Sequence, residues 1–394
     1  MNLKKKKTTK DISALPFSVY FWTVTFLAVA GIADSIYLAI SHYRVYTDIA
    51  YSSFCAISKA INCDTVSQSH YSIFLGVPVA VWGIVGYAFF LLFLPFAWKA
   101  EANQKRIWPT LFFLSSIYSL TSVILAVISA HYIHSYCIMC ILSFGISFFL
   151  LYYTWLIRKR FDRSSVIHGL RLDIDYLWKL RKKVLPLFLS FFGSVFVLSI
   201  VFPAYWNFSP PHFSKEMHHG MTEDGHPWIG ALNPQIEITE FADYQCFQCK
   251  KMHFFLRHLM AEHPDKIRLV HRHFPMDHKF NPIVKQPFHI GSGEMALLAI
   301  YAAEKDKFWQ MNDILFDIAR EKKPINIKEL ADKVGIDFND LARSVNNQTI
   351  RLKLQRNIWN GLKLKINGTP AYVINHKVYV GQIPPDIIKI ALED

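Results

Sequence analysis

Long apolar segments dominate the first half of the chain. There are five, and they cover roughly residues 16–40, 77–98, 107–130, 137–157 and 184–204. Each is close to the roughly 20 residues that a helix needs to cross a bilayer, and none contains lysine or arginine. The pattern therefore predicts five membrane-spanning helices.

The second half of the chain alternates short strand patterns with longer helical ones. The segment that begins at residue 235 alternates apolar and polar side chains like a strand, and a second strand is predicted at 267–273. A largely helical stretch then reaches about residue 365. Two more strands are predicted at 371–375 and 377–380, before a short C-terminal helix. This order predicts an α/β domain with a helical insertion.

Composition agrees with a membrane protein that carries a folded domain. The chain has 394 residues, which predicts two or three domains. Hydrophobic residues make up 52% and charged residues 19%, and the mean hydropathy is +0.19. These values exclude a disordered or fibrous chain and disfavour a purely soluble enzyme.

The basic residues are distributed very unevenly between the two predicted faces of the membrane. The N-terminus, residues 99–106 and residues 158–183 carry 17 lysines and arginines, whereas the opposing short loops carry 2. The positive-inside rule then predicts a cytoplasmic N-terminus and places residues 205–394 outside. The net charge of +13 is therefore interpreted as a topology signal, and no nucleic-acid partner is expected.

Two questions about the first apolar segment stay open: whether it is cleaved, and what role Asp34 has. Ala28-Val29-Ala30 resembles a signal-peptide cleavage site, although cleavage there would not change the side on which any later segment lies. Asp34 is the one acidic residue in this segment. It is either a buried functional acid or a hydrated residue near the membrane interface.

All six cysteines fall on the predicted outer side of the membrane, where disulfides form and persist. They occur as three closely spaced pairs: Cys55 and Cys63, Cys137 and Cys140, Cys246 and Cys249. Six unrelated structural cysteines would be expected to include some on the cytoplasmic side or within a span. The arrangement therefore favours redox chemistry.

The third pair stands where a strand is followed by a helix. Cys246 would lie at the helix N-terminus, where free N–H groups stabilise a thiolate, and Cys249 would lie one turn further as the resolving thiol. The alternative is a zinc site that adds His271 and His273. These histidines alternate on a predicted strand, and no metal is expected.

Residues 235–394 resemble periplasmic thiol oxidases of the DsbA type, which have a thioredoxin fold with a helical insertion. The resemblance rests on Cys246-Phe247-Gln248-Cys249, on Phe241-Ala242-Asp243-Tyr244, on Lys307-Phe308-Trp309 and on Thr369-Pro370. It implies that Thr369 and Pro370 form a cis-proline loop that helps to bind the substrate chain. Phe247-Gln248 replaces the Pro-His typical of the oxidases. The motif therefore lacks a histidine that could stabilise the thiolate. Disulfide isomerase activity stays open as an alternative to oxidase activity.

Residues 16–157 resemble the bacterial form of the vitamin K epoxide reductase family. The resemblance rests on a loop with Cys55 and Cys63, on Gly76-Val77-Pro78 entering the second span, and on Cys137-Ile138-Met139-Cys140 at the start of the fourth. It implies a transmembrane four-helix bundle. Bacterial members are often fused through a fifth span to a thioredoxin-like domain, which accounts for residues 158–204. The polar stretch 161–183 is interpreted as either an amphipathic helix or a solvated linker.

This second resemblance also implies roles for individual residues. Cys137 and Cys140 would face a membrane quinone (ubiquinone or menaquinone), with Cys140 as the attacking thiolate. Cys55 and Cys63 would be the shuttle pair. Tyr71 and Ser72 are candidate quinone contacts, since they fall at the junction of the loop and the second span. Ordinary capping of the loop is the alternative role for them.

The sequence thus predicts a multidomain membrane protein with three parts. These are a four-helix membrane domain at 1–157, a basic cytoplasmic linker with a fifth transmembrane helix at 158–204, and a periplasmic thioredoxin-like domain at 205–394. We expect a thiol:quinone oxidoreductase in the bacterial inner membrane. Thiols of secreted proteins would reduce Cys246/Cys249, and electrons would pass through Cys55/Cys63 to Cys137/Cys140 and on to the quinone pool.

Three other functions stay open at this point. The relay could run in reverse and deliver reductant outward, although no cysteine lies on the inner side to receive it. The chain could be a chaperone or binding module whose disulfides are structural. It could also reduce vitamin K epoxide itself, but the fused outer domain favours protein oxidation.

Overall fold

The computed structural model describes residues 15–58, 60–98, 106–162, 164–208, 217–318 and 325–393. Some of the basic residues that support the topology prediction lie outside these ranges: Lys4, Lys5, Lys6, Lys7, Lys10, Lys59, Lys99, Lys105 and Arg163. The chain separates into two compact units. One comprises Met1–Val45 and Ser52–Ala204, and the other comprises Tyr46–Tyr51 and Tyr205–Asp394.

The first unit is helical. Its helices are α1 (Phe17–Thr47), α2 (Cys63–Gln68), α3 (Val79–Trp98), α4 (Trp108–Ile128), α5 (Ile138–Ile157), α6 (Val166–Lys179) and α7 (Arg181–Val201). Two short paired strands, β1 (Ile73–Phe74) and β2 (Val77–Pro78), precede α3. Five of these helices are long and apolar enough to cross a membrane, which confirms the five predicted spans. Helix α1 continues seven residues beyond its predicted end at residue 40.

Helices α1, α3, α4 and α5 share one apolar core. It contains Val24 and Ala28 from α1, Phe90 from α3, Leu111 from α4 and Leu150 from α5, all fully buried. Helices α1 and α3 approach closely at small residues, since a Cβ at Gly83 would lie 2.6 Å from Ser35 Oγ. The predicted four-helix bundle is therefore confirmed.

Helix α6 packs against the start of α4 through its polar side. The buried Asp173 carboxylate accepts hydrogen bonds from the backbone N–H groups of Ile107 and Thr110, at 2.8 and 3.0 Å. These groups have no partner within α4 because they belong to its first turn. Ile167 and Trp178 are exposed on α6. Of the two interpretations of residues 161–183, the structure shows the amphipathic helix.

The second unit is built on a six-stranded sheet. Its strands are β3 (His219–Met221), β4 (Pro227–Gly230), β5 (Ile236–Ala242), β6 (Ile267–His273), β7 (Ala371–Ile374) and β8 (Lys377–Val380). They are arranged in the order β3-β4-β6-β5-β7-β8, with β5 and β6 parallel and the other pairs antiparallel. Strands β5 to β8 match the predictions closely.

Helices cover the sheet and form the insertion. They are α8 (Phe247–Glu262), α9 (Ser292–Glu304), α10 (Phe308–Ile318), α11 (Ile327–Val334), α12 (Phe338–Ser344), α13 (Gln348–Lys363) and α14 (Pro385–Glu393). Helix α8 follows β5 directly, and α9 to α13 are inserted between β6 and β7. Buried side chains from β5, α8 and α10 form one apolar cluster, and Phe241, Phe274 and residues of α9 and α13 form another. The predicted α/β domain with a helical insertion is confirmed.

Candidate functional site

In the first unit, backbone pairing brings two of the cysteines together. Ile61 forms an isolated parallel bridge with Tyr136, and Asn62 N donates to Tyr136 O at 2.9 Å. Cys63 and Cys137 follow these paired residues directly in the sequence. The pairing therefore aligns the beginning of α2 with the beginning of α5.

The loop that carries Cys55 and Cys63 is closed by a disulfide and by hydrogen bonds. The two cysteines form the disulfide, with Cα atoms 5.6 Å apart. Ser53 N donates to both carboxylate oxygens of Asp64, at 3.3 and 3.1 Å. The Asn62 side chain caps α2 by accepting from Thr65 N at 3.0 Å. These bonds hold the two ends of the loop side by side.

The cysteines of this unit form one cluster. Cys55, Cys63 and Cys137 are 0%, 3% and 3% exposed and pack together, and the partly exposed Cys140 packs against them. Three apolar or thioether side chains also pack against the cluster: Leu38, Val66 and Met139. The structure thus brings together all four cysteines that the sequence singles out in this unit.

Cys137 and Cys140 occupy the first turn of α5. Cys137 is the N-cap residue, and its sulfur accepts a hydrogen bond from Cys140 N at 3.2 Å. Sulfur at a helix N-terminus faces unpaired N–H groups, which favour negative charge. Both thiols are free, so the pair has the geometry of a dithiol that can close to a disulfide.

Tyr71 and Ser72 lie in a short 3₁₀ turn, His70–Ser72, and do not belong to the cysteine cluster. The Ser72 hydroxyl donates to Ser69 O at 2.7 Å and lies 3.1 Å from His42 Nε2. The Tyr71 ring is 5.8 Å from the Tyr132 ring. The Ser72 hydroxyl thus caps the turn, whereas Tyr71 contributes an aromatic face.

In the second unit, Cys246 and Cys249 stand at the N-terminus of α8. Cys246 is the N-cap residue, and its sulfur accepts from Cys249 N at 3.3 Å. The hydrogen bond from the Cys249 thiol is the main reason that the pKa of Cys246 is lowered. Burial raises the pKa of Cys249 well above its ordinary value, and the bond to Cys246 adds to this rise. Cys246 is therefore the more readily ionised thiol of the pair.

The loop before β7 contacts the same cysteine. The Thr369–Pro370 peptide bond is cis, and the Cys246 thiol donates to Thr369 O at 3.4 Å. The structure thus places Thr369 and Pro370 next to Cys246, while Pro370 O accepts from Gly381 N at 2.7 Å.

The motif itself carries no histidine, as the sequence shows, but a histidine from another part of the chain interacts with Cys246. The negative charge of Asp243 raises the pKa of Cys246, and the positive charge of His289, in the loop before α9, lowers it when this histidine is protonated. Its Nδ1 lies 3.0 Å from the buried Asp243 carboxylate, which also accepts from Ser292 Oγ at 3.0 Å. His289 is far from the cysteines in the sequence, so no local motif could identify it.

His271 and His273 contact a buried acid. His271 Nδ1 lies 2.6 Å from Glu240 Oε1, and His271 Nε2 lies 3.2 Å from His273 Nδ1. A second histidine, His253 of α8, also lies near Glu240. Its Nδ1 is 3.7 Å from Glu240 Oε1, and its Nε2 is 2.8 Å from Asp313 Oδ1. The two histidines of the zinc alternative are thus bound within a hydrogen-bonded network under the sheet.

Burial alone would raise the pKa of Glu240, but the interaction with His253 and the hydrogen bond with His271 outweigh it and lower the pKa to about 2. His253 shows the complementary effect. Its pKa is raised because the interactions with Asp313 and Glu240 outweigh the cost of burial. The network therefore contains ionised groups in the interior of the domain. Each buried charge there is stabilised by a neighbouring group of opposite charge.

Two family models match the chain in separate segments. Residues 22–155 match the vitamin K epoxide reductase family, and residues 237–393 match the DSBA-like thioredoxin domain. The first segment contains all four cysteines of the cluster, and the second contains Cys246, Cys249 and the cis-proline loop.

Relatives with known names match only part of the chain. The Na⁺/H⁺ antiporter NhaA 3 of Salinispora tropica is 22% identical over 152 residues, which are 39% of this chain and 22% of the antiporter. This chain therefore spans about a fifth of the antiporter's length. Disulfide bond formation protein D of Bacillus subtilis is 25% identical over 185 residues, covering 43% of this chain and 76% of the relative.

Solved structures match a similar share of the chain. A thioredoxin-like oxidoreductase from Silicibacter pomeroyi has 22% identity and a TM-score of 0.36, covering 44% of this chain and 92% of that one. Oxidised BdbD from Bacillus subtilis has 21% identity and a TM-score of 0.35, covering 45% and 97%. The two family models thus describe a segment similar to the vitamin K epoxide reductase family at residues 22–155, followed by a segment similar to the DSBA-like thioredoxin domain at residues 237–393.

Proposed function

We propose that this protein is a quinone-dependent thiol–disulfide oxidoreductase that introduces disulfides into secreted proteins. The two family matches and the relationship to a disulfide bond formation protein support thiol–disulfide exchange. The observation that carries the proposal is the cluster of Cys55, Cys63, Cys137 and Cys140 in the membrane unit. Packed sulfur atoms can exchange a disulfide with little movement of the backbone.

In the proposed cycle, each step is attack of a thiolate on a disulfide sulfur. Two substrate thiols reduce the Cys246–Cys249 disulfide, and the substrate gains its own disulfide. The Cys246/Cys249 dithiol then reduces the Cys55–Cys63 disulfide. That dithiol in turn reduces a Cys137–Cys140 disulfide. Each step moves two electrons, and the two protons that the oxidised dithiol loses are balanced by the two that the newly reduced dithiol takes up.

The state of Cys246 favours the first step of this cycle. The first substrate thiolate attacks Cys246 and forms a mixed disulfide with it. Because its pKa is lowered, Cys246 is then a good leaving group when the second substrate thiolate attacks this mixed disulfide. The Thr369–Pro370 loop lies against this sulfur and could hold an extended substrate chain beside it. Cys249, which is buried, would be the thiol released when the substrate attacks Cys246.

The surroundings of Cys140 fit an apolar acceptor. Leu38, Val66 and Met139 line the cluster, and Cys140 is its partly exposed member. Ile141 and Leu142, which follow Cys140, are exposed apolar residues on a candidate span. A bound quinone would supply a two-electron acceptor that diffuses within the bilayer. Tyr71 would offer an aromatic contact near the turn that enters α3.

The proposal includes an orientation. The 17 basic residues on one predicted face, against 2 on the other, support a cytoplasmic N-terminus in the bacterial inner membrane. The domain with Cys246 and Cys249 would then lie in the periplasm, where secreted proteins acquire their disulfides. The membrane tether would keep this domain at a high effective concentration near the membrane cysteines.

The test uses purified full-length protein under anaerobic conditions. The protein is mixed with a reduced dithiol peptide and a soluble quinone, and loss of quinone absorbance is followed. Cys246→Ser, Cys63→Ser and Cys140→Ser are measured beside the wild type. We expect quinone loss in the wild type and its abolition in all three variants, because each removes one step of the relay.

Two outcomes would contradict the proposal. If the wild type consumes no quinone, the forward oxidase does not operate. If Cys246→Ser consumes quinone as fast as the wild type, the peptide reaches the membrane cysteines without the thioredoxin domain. A variant at an exposed residue, Asp175→Asn, controls for the effect of substitution and purification.

A further inference from the structure

A buried carboxylate lies one helical turn from the cysteine cluster and has no role in the cycle described above. Asp34 lies within α1 and is 5% exposed. Neither of its carboxylate oxygens meets the distance and angle requirements for a hydrogen bond with a described residue. An ionisable side chain inside a span is unfavourable unless it has a function or a partner. Asp34 therefore needs an explanation.

The helices direct Asp34 and Cys140 to the same place. Leu38, four residues after Asp34 on α1, packs against the cysteine cluster. Ser143, three residues after Cys140 on α5, is the side chain that interacts with the Asp34 carboxylate. Residues three or four apart share one helix face, so Asp34 and Ser143 lie one turn below Leu38 and Cys140.

The carboxylate also interacts electrostatically with both thiols of the pair, Cys137 and Cys140. Hydroxyl groups lie nearby as well. The Tyr87 hydroxyl of α3 lies 3.0 Å from Ser147 Oγ and donates to Ser143 O at 3.4 Å. Of the side chains named here, Asp34 is the carboxylate, and a carboxylate can accept a proton from a thiol.

We propose that Asp34 is the proton acceptor for the Cys140 thiol. The inference rests on the proposed function and deepens it. The carboxylate takes the Cys140 proton, which leaves a thiolate and a neutral carboxylic acid. As the Cys137–Cys140 disulfide forms, the dithiol gives up two electrons. The proton held by Asp34 and the proton of Cys137 then complete the two O–H bonds of the hydroquinone, so that atoms and electrons balance.

The substitution Asp34→Asn keeps the shape of the side chain and removes its ability to accept a proton. The protein is the full chain in detergent, reduced and freed of reductant. One measurement follows formation of the Cys137–Cys140 disulfide after addition of a soluble quinone, by rapid acid quench and mass spectrometry. The other follows labelling of Cys140 by N-ethylmaleimide at pH 7, without quinone.

The two measurements should change in opposite directions. Disulfide formation should slow by about tenfold or more, because loss of a general base typically has at least this effect. Maleimide labelling of Cys140 should become faster, because slow labelling reports the equilibrium fraction of thiolate, which rises when the neighbouring negative charge is removed. The reaction with quinone instead needs a nearby acceptor for the proton as the disulfide forms, and the amide cannot be that acceptor. Asp34→Glu should restore disulfide formation, and Asp175→Asn, at an exposed carboxylate on α6, should change neither rate.

Other outcomes overturn the inference. If Asp34→Asn forms the disulfide as fast as the wild type, Asp34 does not carry the proton, although the proposed function stands. If both rates fall together, the substitution has disturbed the packing of the cluster and the role of Asp34 is structural. If the wild type itself forms no disulfide with quinone, the proposed function fails and this inference fails with it.

Discussion

Replacement of Glu240 by glutamine tests whether ionised groups inside the thioredoxin domain contribute to its stability. It is 1% exposed, on the central strand β5, and accepts a hydrogen bond from His271 at 2.6 Å. We expect Glu240→Gln to destabilise the domain. The amide cannot replace the charge, and His253 would keep only Asp313 as an anionic partner.

The lowered pKa gives the size of the effect. A change from the ordinary value of 4.5 to about 2 corresponds to about 3 kcal/mol, at about 1.4 kcal/mol for each pKa unit. Because folding lowers this pKa, the stabilisation is complete above about pH 4.5 and is lost as the pH falls towards about 2. About 1 kcal/mol of it should remain at pH 3.

Pulse proteolysis in urea measures this loss in the full-length protein. The intact chain is detected through a C-terminal tag after brief digestion, with thermolysin at pH 6 and pepsin at pH 3. With a urea dependence of about 2 kcal/mol/M, the urea midpoint should fall by about 1.5 M at pH 6 and by about 0.5 M at pH 3.

Glu237→Gln is the matched control, since Glu237 lies on the same strand but is exposed. Its ion pair with Arg268 is on the surface, so the control should change stability by less than about 0.5 kcal/mol.

Two results would refute this reasoning. An unchanged midpoint at pH 6 would mean that the charge of Glu240 does not stabilise the folded domain. An equal decrease at both pH values would mean that the substitution acts through packing, because a loss of charge must become smaller as the wild-type carboxylate is protonated.

Three further predictions concern single positions. His289→Asn should raise the pKa of Cys246 and slow its alkylation by iodoacetamide at pH 6 severalfold, because a nearby positive charge is removed. Asn62→Ala should remove the cap of α2 at a cost of about 1 kcal/mol, seen as roughly fivefold faster amide exchange in the first turn of that helix. Gly361→Ala should lower the urea midpoint of the thioredoxin domain by an amount equivalent to about 1–3 kcal/mol. The new Cβ would lie 2.6 Å from the ring of Phe274, inside a filled core.

The features that the sequence predicts well are those set by a strict local requirement. A span needs about 20 consecutive apolar residues, so all five appear in the sequence. Cys246 and Cys249 are recognisable because a strand and a helix meet there. The strands β5 and β6 were predictable because their alternation reflects burial on a sheet, with Ile236 and Ile238 buried and Glu237 exposed between them.

The remaining features depend on contacts between distant parts of the chain. Strand β3 has three residues, and the four residues of β4 begin with proline and end with glycine, which are uncommon in strands. Asp34 was visible as an acid within a span, but its position beside the cysteines depends on how α1 packs against α5. His289 and Asp173 have polar side chains in polar segments. Nothing local distinguishes them from ordinary surface residues.

The hydrogen bonds that close the first loop have a consequence for its redox equilibrium. The disulfide joins residues eight positions apart, and closing a chain of this length costs about 2–3 kcal/mol of conformational entropy when the reduced chain is free. Hydrogen bonds that do not involve sulfur also hold this loop, since Ser53 N donates to the Asp64 carboxylate and Asn62 N to Tyr136 O, and these bonds are available to the reduced loop as well. Much of this entropy has therefore been lost before the sulfur atoms meet, which favours ring closure by up to about 50 mV. Oxidation and reduction can then alternate in a loop that hardly changes its shape.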